Sequence, residues 1–68
     1  MFKFTVFPEN CRAFEIDAAN AEIAYRSICG FYNPATRVAI INNETRETAI
    51  FTRDIDNAGN MVNITRVL

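Results

Sequence analysis

The sequence contains no histidine and no tryptophan, and its only serine is Ser27. Nucleophilic catalysis needs a nucleophile beside a base, and general acid–base catalysis most often uses histidine. Neither Cys11 nor Cys29 has an obvious partner of this kind, and no motif in the sequence fixes a chemistry. We therefore expect that the chain is not an enzyme and needs no cofactor.

Metal-binding patterns are missing as well. The cysteines are not spaced as C-x-x-C, and two thiols without histidine make a poor zinc site. Asp54, Asp56 and Asn60 begin like a calcium loop, but Ala58 stands where the third ligand belongs and no glutamate follows at the twelfth position. We expect no metal here and interpret residues 54–60 as a turn.

Long apolar runs and blocks of like charge are also absent. No window approaches the roughly 18 apolar residues of a membrane span, and residues 1–12 lack the pattern of a secretory signal. We accordingly expect a cytoplasmic protein with no membrane partner. Eight acidic and seven basic residues give a net charge of −1, so no strong field attracts nucleic acid.

The composition that remains is that of a small globular protein. A chain of 68 residues has room for one core, and we interpret residues 1–68 as a single domain. Half of the residues are apolar and six are phenylalanine, which is enough to build that core without disulfides. Six of the seven basic residues are arginine, the cation that interfaces favour.

The first part of the chain predicts a hairpin. Two alternating segments carry apolar side chains on one face, namely Phe2, Phe4 and Val6, then Phe14, Ile16 and Ala18. Alternation with a period of two is typical of half-buried strands. A hairpin centred on Asn10 sets Phe4 opposite Ile16 and pairs Lys3 with Asp17 across the strands.

From Asn20 the pattern changes to that of a helix. Asn20 is a favourable N-cap, Glu22 suits the helix dipole, and Gly30 followed by Asn33 and Pro34 ends the helix. Apolar residues at helical spacing form one side, namely Ala21, Ala24, Tyr25, Ile28, Phe31 and Tyr32. We predict an amphipathic helix that packs across a sheet.

Three further strands are predicted after the helix. Residues 36–41 and 47–53 are rich in strand-forming residues and form a hairpin, and residues 61–67 form a last strand. With a three-residue loop, one face of this hairpin carries Val38, Ile40, Thr48, Ile50 and Thr52. The other face then carries Arg37, Ala39, Ile41, Glu47, Ala49, Phe51 and Arg53.

The predicted fold is α+β with the order ββαβββ, in which one helix packs on one face of a mostly antiparallel five-stranded sheet. The pattern F-x-I-x-A-x-N-x-E-x-A-Y runs from Phe14 to Tyr25. Together with the element order, it resembles the β-grasp (ubiquitin-like) group, in which a hairpin leads into a helix that crosses the sheet. A hairpin, a helix and a three-strand meander form the alternative arrangement.

Apolar surface in the second half of the chain suggests a function. One helix can cover only one sheet face, yet both faces of the 36–53 hairpin carry large apolar groups. We predict an interaction surface of aromatic, aliphatic and arginine side chains, namely Arg37, Ile41, Phe51 and Arg53. Strand 47–53 also lacks proline and lysine, so at an edge it could accept another strand.

We therefore expect a small interaction module that binds another protein or dimerises. The alternative is a module that binds single-stranded nucleic acid with the same arginine and aromatic groups. A secondary surface is predicted where the first turn and the end of the helix meet, at Cys11, Arg12, Cys29, Phe31 and Tyr32. Reduced thiols are expected there, with a disulfide or redox pair as the alternative.

Overall fold

The structure of the chain, a computed structural model, describes residues 1–55 and 61–68, with the backbone alone described for 55, 61 and 62. In chain order the elements are β1 (Phe2–Pro8), β2 (Phe14–Ala18), α1 (Ala21–Ile28), a 3₁₀ turn (Cys29–Phe31), β3 (Val38–Asn42), β4 (Thr48–Ile55) and β5 (Met61–Arg66). The predicted α+β class and element order are confirmed. Of the turn predicted at 54–60, Asp54 and Ile55 belong instead to β4, and residues 56–60 lie outside the described part.

The five strands form one antiparallel sheet in the order β2-β1-β3-β4-β5. Strands β3, β4 and β5 are neighbours both along the chain and in space, which is the meander arrangement. The resemblance to the β-grasp group therefore extends no further than the order of elements. Strand β4 lies between β3 and β5, so the strand predicted at 47–53 is not at an edge of the sheet and the condition for adding another strand there is not met.

The hairpin of β1 and β2 has the predicted register. Phe4 pairs with Ile16, and Lys3 pairs with Asp17. The turn passes through Asn10, whose φ of 59° lies in the left-handed region. Asparagine adopts that conformation more readily than most residues, because its short polar side chain bonds locally.

Helix α1 begins as its sequence predicts. The side-chain oxygen of Asn20 accepts a hydrogen bond from the backbone N–H of Ile23 at 2.8 Å, which satisfies one of the otherwise unpaired first-turn donors. The helix ends at Ile28, and the 3₁₀ turn that follows changes the residue spacing. The prediction that Phe31 lies on the apolar side is therefore wrong, since that ring is 81% exposed.

The core lies between α1 and one face of the sheet. Its buried members are Phe4, Val6, Ala18, Ala24, Tyr25, Ile28, Cys29, Val38, Ile40, Ala49 and Phe51. The rings of Tyr25 and Phe51 stack with their centroids 5.1 Å apart and their planes inclined by 14°. This contact joins the middle of α1 to the middle of β4.

The register of β3 and β4 differs from the predicted one by one residue. Val38 pairs with Phe51 and Ile40 with Ala49, so these residues share the helix side of the sheet. The backbone N–H of Asn42 donates to the oxygen of Glu47 at 2.9 Å, enclosing residues 43–46 rather than a three-residue loop. A slip of one residue reverses every side chain of a strand, which is why the predicted faces of this hairpin are wrong.

We expect Phe51→Ala to lower the free energy of unfolding by about 3–5 kcal/mol, because it removes a fully buried ring from the core. The matched variant Phe7→Ala removes a ring that is 45% exposed, and we expect it to cost about 1 kcal/mol or less. Urea denaturation followed by circular dichroism measures both. Equal losses for the two variants would contradict the placement of Phe51.

Candidate interaction surface

Helix α1 leaves one face of the sheet without a covering element among the residues that the structure describes. Three neighbouring strands and the residue that follows β5 contribute to a line of apolar side chains on this uncovered face, which we name the apolar row: Phe7, Ala39, Ile50 and Val67. Phe7 pairs with Ala39, and Ala39 pairs with Ile50. Val67 follows β5 and extends the line, since its N–H donates to the oxygen of Ile50 at 2.8 Å.

Alternation along the strands places the apolar row opposite the core. Val6, Val38 and Ile40 are wholly buried beneath α1, and their neighbours in sequence therefore point away from the helix. Phe7 is 45% exposed and Val67 is 52% exposed, whereas Ala39 and Ile50 are half-buried by their neighbours. The row is an apolar strip on a face where solvent-facing antiparallel sheets usually carry polar groups.

A polar network lies beside the apolar row. The hydroxyl of Thr5 donates to the side-chain oxygen of Asn43 at 2.7 Å, and the amide nitrogen of Asn43 donates to a carboxylate oxygen of Glu15 at 3.0 Å. These bonds connect the turn between β3 and β4 to the first hairpin. Hydrogen-bonded polar side chains therefore border the apolar row on one side.

The four predicted interaction residues do not form one surface. Ile41 lies on the uncovered face between Thr5 and Thr48, next to the apolar row. Arg37 is exposed just before β3. Phe51 and Arg53 share a face, as predicted, but it is the helix side, because the register of the hairpin is shifted by one residue.

Arg53 donates hydrogen bonds to carbonyl oxygens just after the end of α1. Its Nε donates to the carbonyl oxygen of Cys29 at 3.0 Å, and its Nη2 donates to the carbonyl oxygen of Tyr32. Carbonyl groups at a helix end lack partners within the helix, and a cation there is favourable. The sequence signal for this role is weak, because it depends on a contact between distant parts of the chain.

The structure brings together only some residues of the predicted secondary surface. Cys11, Phe31 and Tyr32 line one shallow pocket of about 320 Å³, whereas Arg12 is exposed outside that lining. Cys29 is buried beneath the helix end, and its Sγ lies 3.7 Å from the carbonyl oxygen of Arg26. Burial, and then the neighbouring Cys11, raises the pKa of Tyr32 above its usual value.

None of the helices within 1–55 and 61–68 is long and apolar enough to cross a membrane. In the same part of the chain, no group of three or more histidine, cysteine, aspartate and glutamate side chains is placed to hold a metal ion.

Comparison of the chain with protein-family models, with curated proteins and with solved structures finds no significant match.

We expect Arg53→Gln to lower the free energy of unfolding by about 1.5–3 kcal/mol, because both carbonyl groups lose a charged donor. The control Arg37→Gln removes an exposed arginine and should change stability by about 0.5 kcal/mol or less. Urea denaturation compares the two variants. If the variants lose equal stability, Arg53 does not cap the helix end.

A second prediction concerns alkaline pH. Burial raises the pKa of Tyr25, the neighbouring Cys29 adds to that shift, and Arg53 opposes it. The unfolded chain therefore releases this proton first, so the contribution of Tyr25 to stability is fully present below about pH 10 and is lost as pH rises through the folded pKa. Unfolding experiments across this range, with Tyr25→Phe as control, measure the effect. A variant with the same alkaline loss as the wild type would contradict it.

Proposed function

We propose that this chain is a small interaction module that binds protein through the uncovered face of its sheet. The observation that carries the proposal is the apolar row, Phe7, Ala39, Ile50 and Val67, which crosses four paired segments with no described element over it. Contiguous apolar surface of this kind marks interaction sites. Ile41, predicted from the sequence as an interface residue, lies beside the row.

The shape of the row favours a protein partner. Phe7 and Ile50 flank the smaller Ala39, so the centre of the strip is a hollow between two larger side chains. A protruding aliphatic or aromatic side chain of a partner would fill that hollow and bury all three residues. Interface cores are built in this way, with large side chains seated in pockets and polar groups at the rim.

The polar network supplies the rim of the proposed interface. Thr5, Asn43 and Glu15 are already joined by hydrogen bonds, so a partner meets groups whose positions are fixed. Such preorganisation reduces the loss of side-chain entropy on binding. The proposed contact combines an apolar strip with an ordered polar border.

The alternative, binding of single-stranded nucleic acid, has less support. It needs arginine and aromatic side chains on one exposed sheet face. Phe51 is buried in the core, and the guanidinium of Arg53 bonds to the end of the helix. The acidic pI of about 5.2 also disfavours contact with phosphate.

Light scattering over a concentration series measures the mass of the protein in solution and so tests association through the uncovered face. If the partner is a second copy, we expect the wild-type mass to rise with concentration, and Ile50→Glu to weaken association at least about tenfold by placing a carboxylate in the apolar strip. The control is Ile23→Glu on α1, where the isoleucine is 47% exposed.

The control variant should associate like the wild type. Equal association of Ile50→Glu and the wild type would contradict the proposed face. A wild-type chain that stays monomeric at all concentrations would exclude self-association and leave a different protein as the partner of this face.

A further inference from the structure

A groove of about 560 Å³ lies on the helix side of the sheet, opposite the uncovered face. It exists because α1 is short and the side chains around its start are small. Ala19 and Ala21 line it on the helix side, and Ala49 lines it from β4. Phe2, Phe4 and Phe51 also line the groove, so much of its surface is apolar.

Asn42 places a polar group in this apolar setting. Its side chain is only 9% exposed. Its Oδ1 accepts hydrogen bonds from the backbone N–H groups of Glu44 at 2.8 Å and Thr45 at 3.2 Å. These two donors fix the orientation of the amide, because only the oxygen can accept them.

The amide nitrogen of Asn42 therefore points away from the turn. It makes no hydrogen bond to the residues that the structure describes. No described side-chain nitrogen or oxygen is both sealed from solvent and unpartnered, so this nitrogen is accessible to solvent, and Asn42 lines the groove. A ligand in the groove that supplies an acceptor would replace water at a donor whose orientation is already fixed.

Arg66 adds a positive charge to the same groove. It pairs with Phe51 and so lies on the helix side of the sheet. Its Nε donates to the backbone oxygen of Leu68 at 2.8 Å, while its terminal nitrogens make no hydrogen bond to described residues. Two planar nitrogen donors of a guanidinium match the two oxygens of a carboxylate.

The start of α1 contributes further donors. The cap residue Asn20 accepts the N–H groups of Ile23 and Ala24. The N–H groups of Ala21 and Glu22 precede these in the first turn, where no carbonyl of the helix itself can accept them. Both residues line the groove, and the positive end of the helix dipole favours an anion there.

Two acidic side chains, those of Glu22 and Glu47, also line the groove, but they do not remove its preference for an anion. The carboxylate of Glu22 lies 3.7 Å from the Nε of Arg26, on the next turn of the helix. Glu47 and Arg66 both line the groove and are both exposed, so water screens the charge of each. The amide of Asn42 is nearly buried, so its interaction with a ligand is screened less.

We propose that the groove binds a small carboxylic acid with a compact apolar body. The carboxylate accepts hydrogen bonds from the amide nitrogen of Asn42 and the guanidinium of Arg66, and the apolar body rests against Phe2 and Ala49. This site is separate from the protein-binding face, because the two lie on opposite sides of the sheet.

Phenylacetate is a suitable probe, and phenylacetamide is its matched neutral control. Nuclear magnetic resonance of the labelled protein measures binding at the side-chain amide of Asn42 and the backbone amides of Ala21 and Glu22. We expect saturable shifts with a dissociation constant on the order of 1 mM for a ligand of this size. Phenylacetamide should bind at least about fivefold more weakly, because it lacks the charge.

Variants test the named contacts. We expect Arg66→Gln to weaken phenylacetate binding at least about fivefold. Lys3→Gln removes the same charge from the opposite face and should leave binding unchanged. Asn42→Asp keeps the oxygen that holds the turn but replaces the donor nitrogen, and it should abolish binding. Its circular dichroism spectrum shows whether the fold is intact.

Three results would overturn the proposal. The first is the absence of saturable shifts at Asn42, Ala21 and Glu22 with phenylacetate at about thirty times the expected dissociation constant. The second is equal binding of the acid and its amide, and the third is an Arg66→Gln variant that binds like the wild type. None of these outcomes bears on the association measured for Ile50→Glu.

Discussion

The stacked pair of Tyr25 and Phe51 is the contact on which the rest of this small structure depends. It places the middle of α1 over β4, and it requires Phe51 to face the helix. Because strands alternate, that choice sends Ile50 to the opposite face and, through the pairing with β3, sends Ala39 there as well. One aromatic contact thus decides both what the core contains and which apolar side chains remain outside it.

The sequence predicts the fold correctly where the large apolar residues of an element all lie on one side of it. In β1 and β2 the large apolar residues lie on a single side, and the predicted pairing of Phe4 with Ile16 is the observed one. Asn20 likewise caps α1 through local geometry alone. In β3 and β4 both faces carry branched aliphatic residues, so two registers bury similar amounts of apolar surface. The Tyr25–Phe51 contact favours the observed register, and the side chain of Asn42 stabilises the longer connection that this register needs.

The same distinction separates the candidate residues whose positions the sequence predicts from those whose positions it does not. Ile41 is found on the uncovered face because β3 has a fixed alternation, whichever register β4 takes. Arg53 looks like an interface arginine in the sequence, but its partners are carbonyl groups more than twenty positions away. The orientation of the Asn42 side-chain amide is equally hard to predict from the sequence, because it depends on hydrogen bonds from two backbone N–H groups of the turn. Contacts between distant segments carry no periodic signal.

Two adjacent asparagines at the end of β3 and the start of the turn have side chains on opposite sides of the sheet. Asn42 holds the turn and lines the groove, while Asn43 bonds to Thr5 and Glu15 on the uncovered face. A rigid planar peptide unit joins them. The groove on one side of the sheet and the polar network on the other therefore share one short segment, so a substitution that reshapes this turn would be felt on both surfaces.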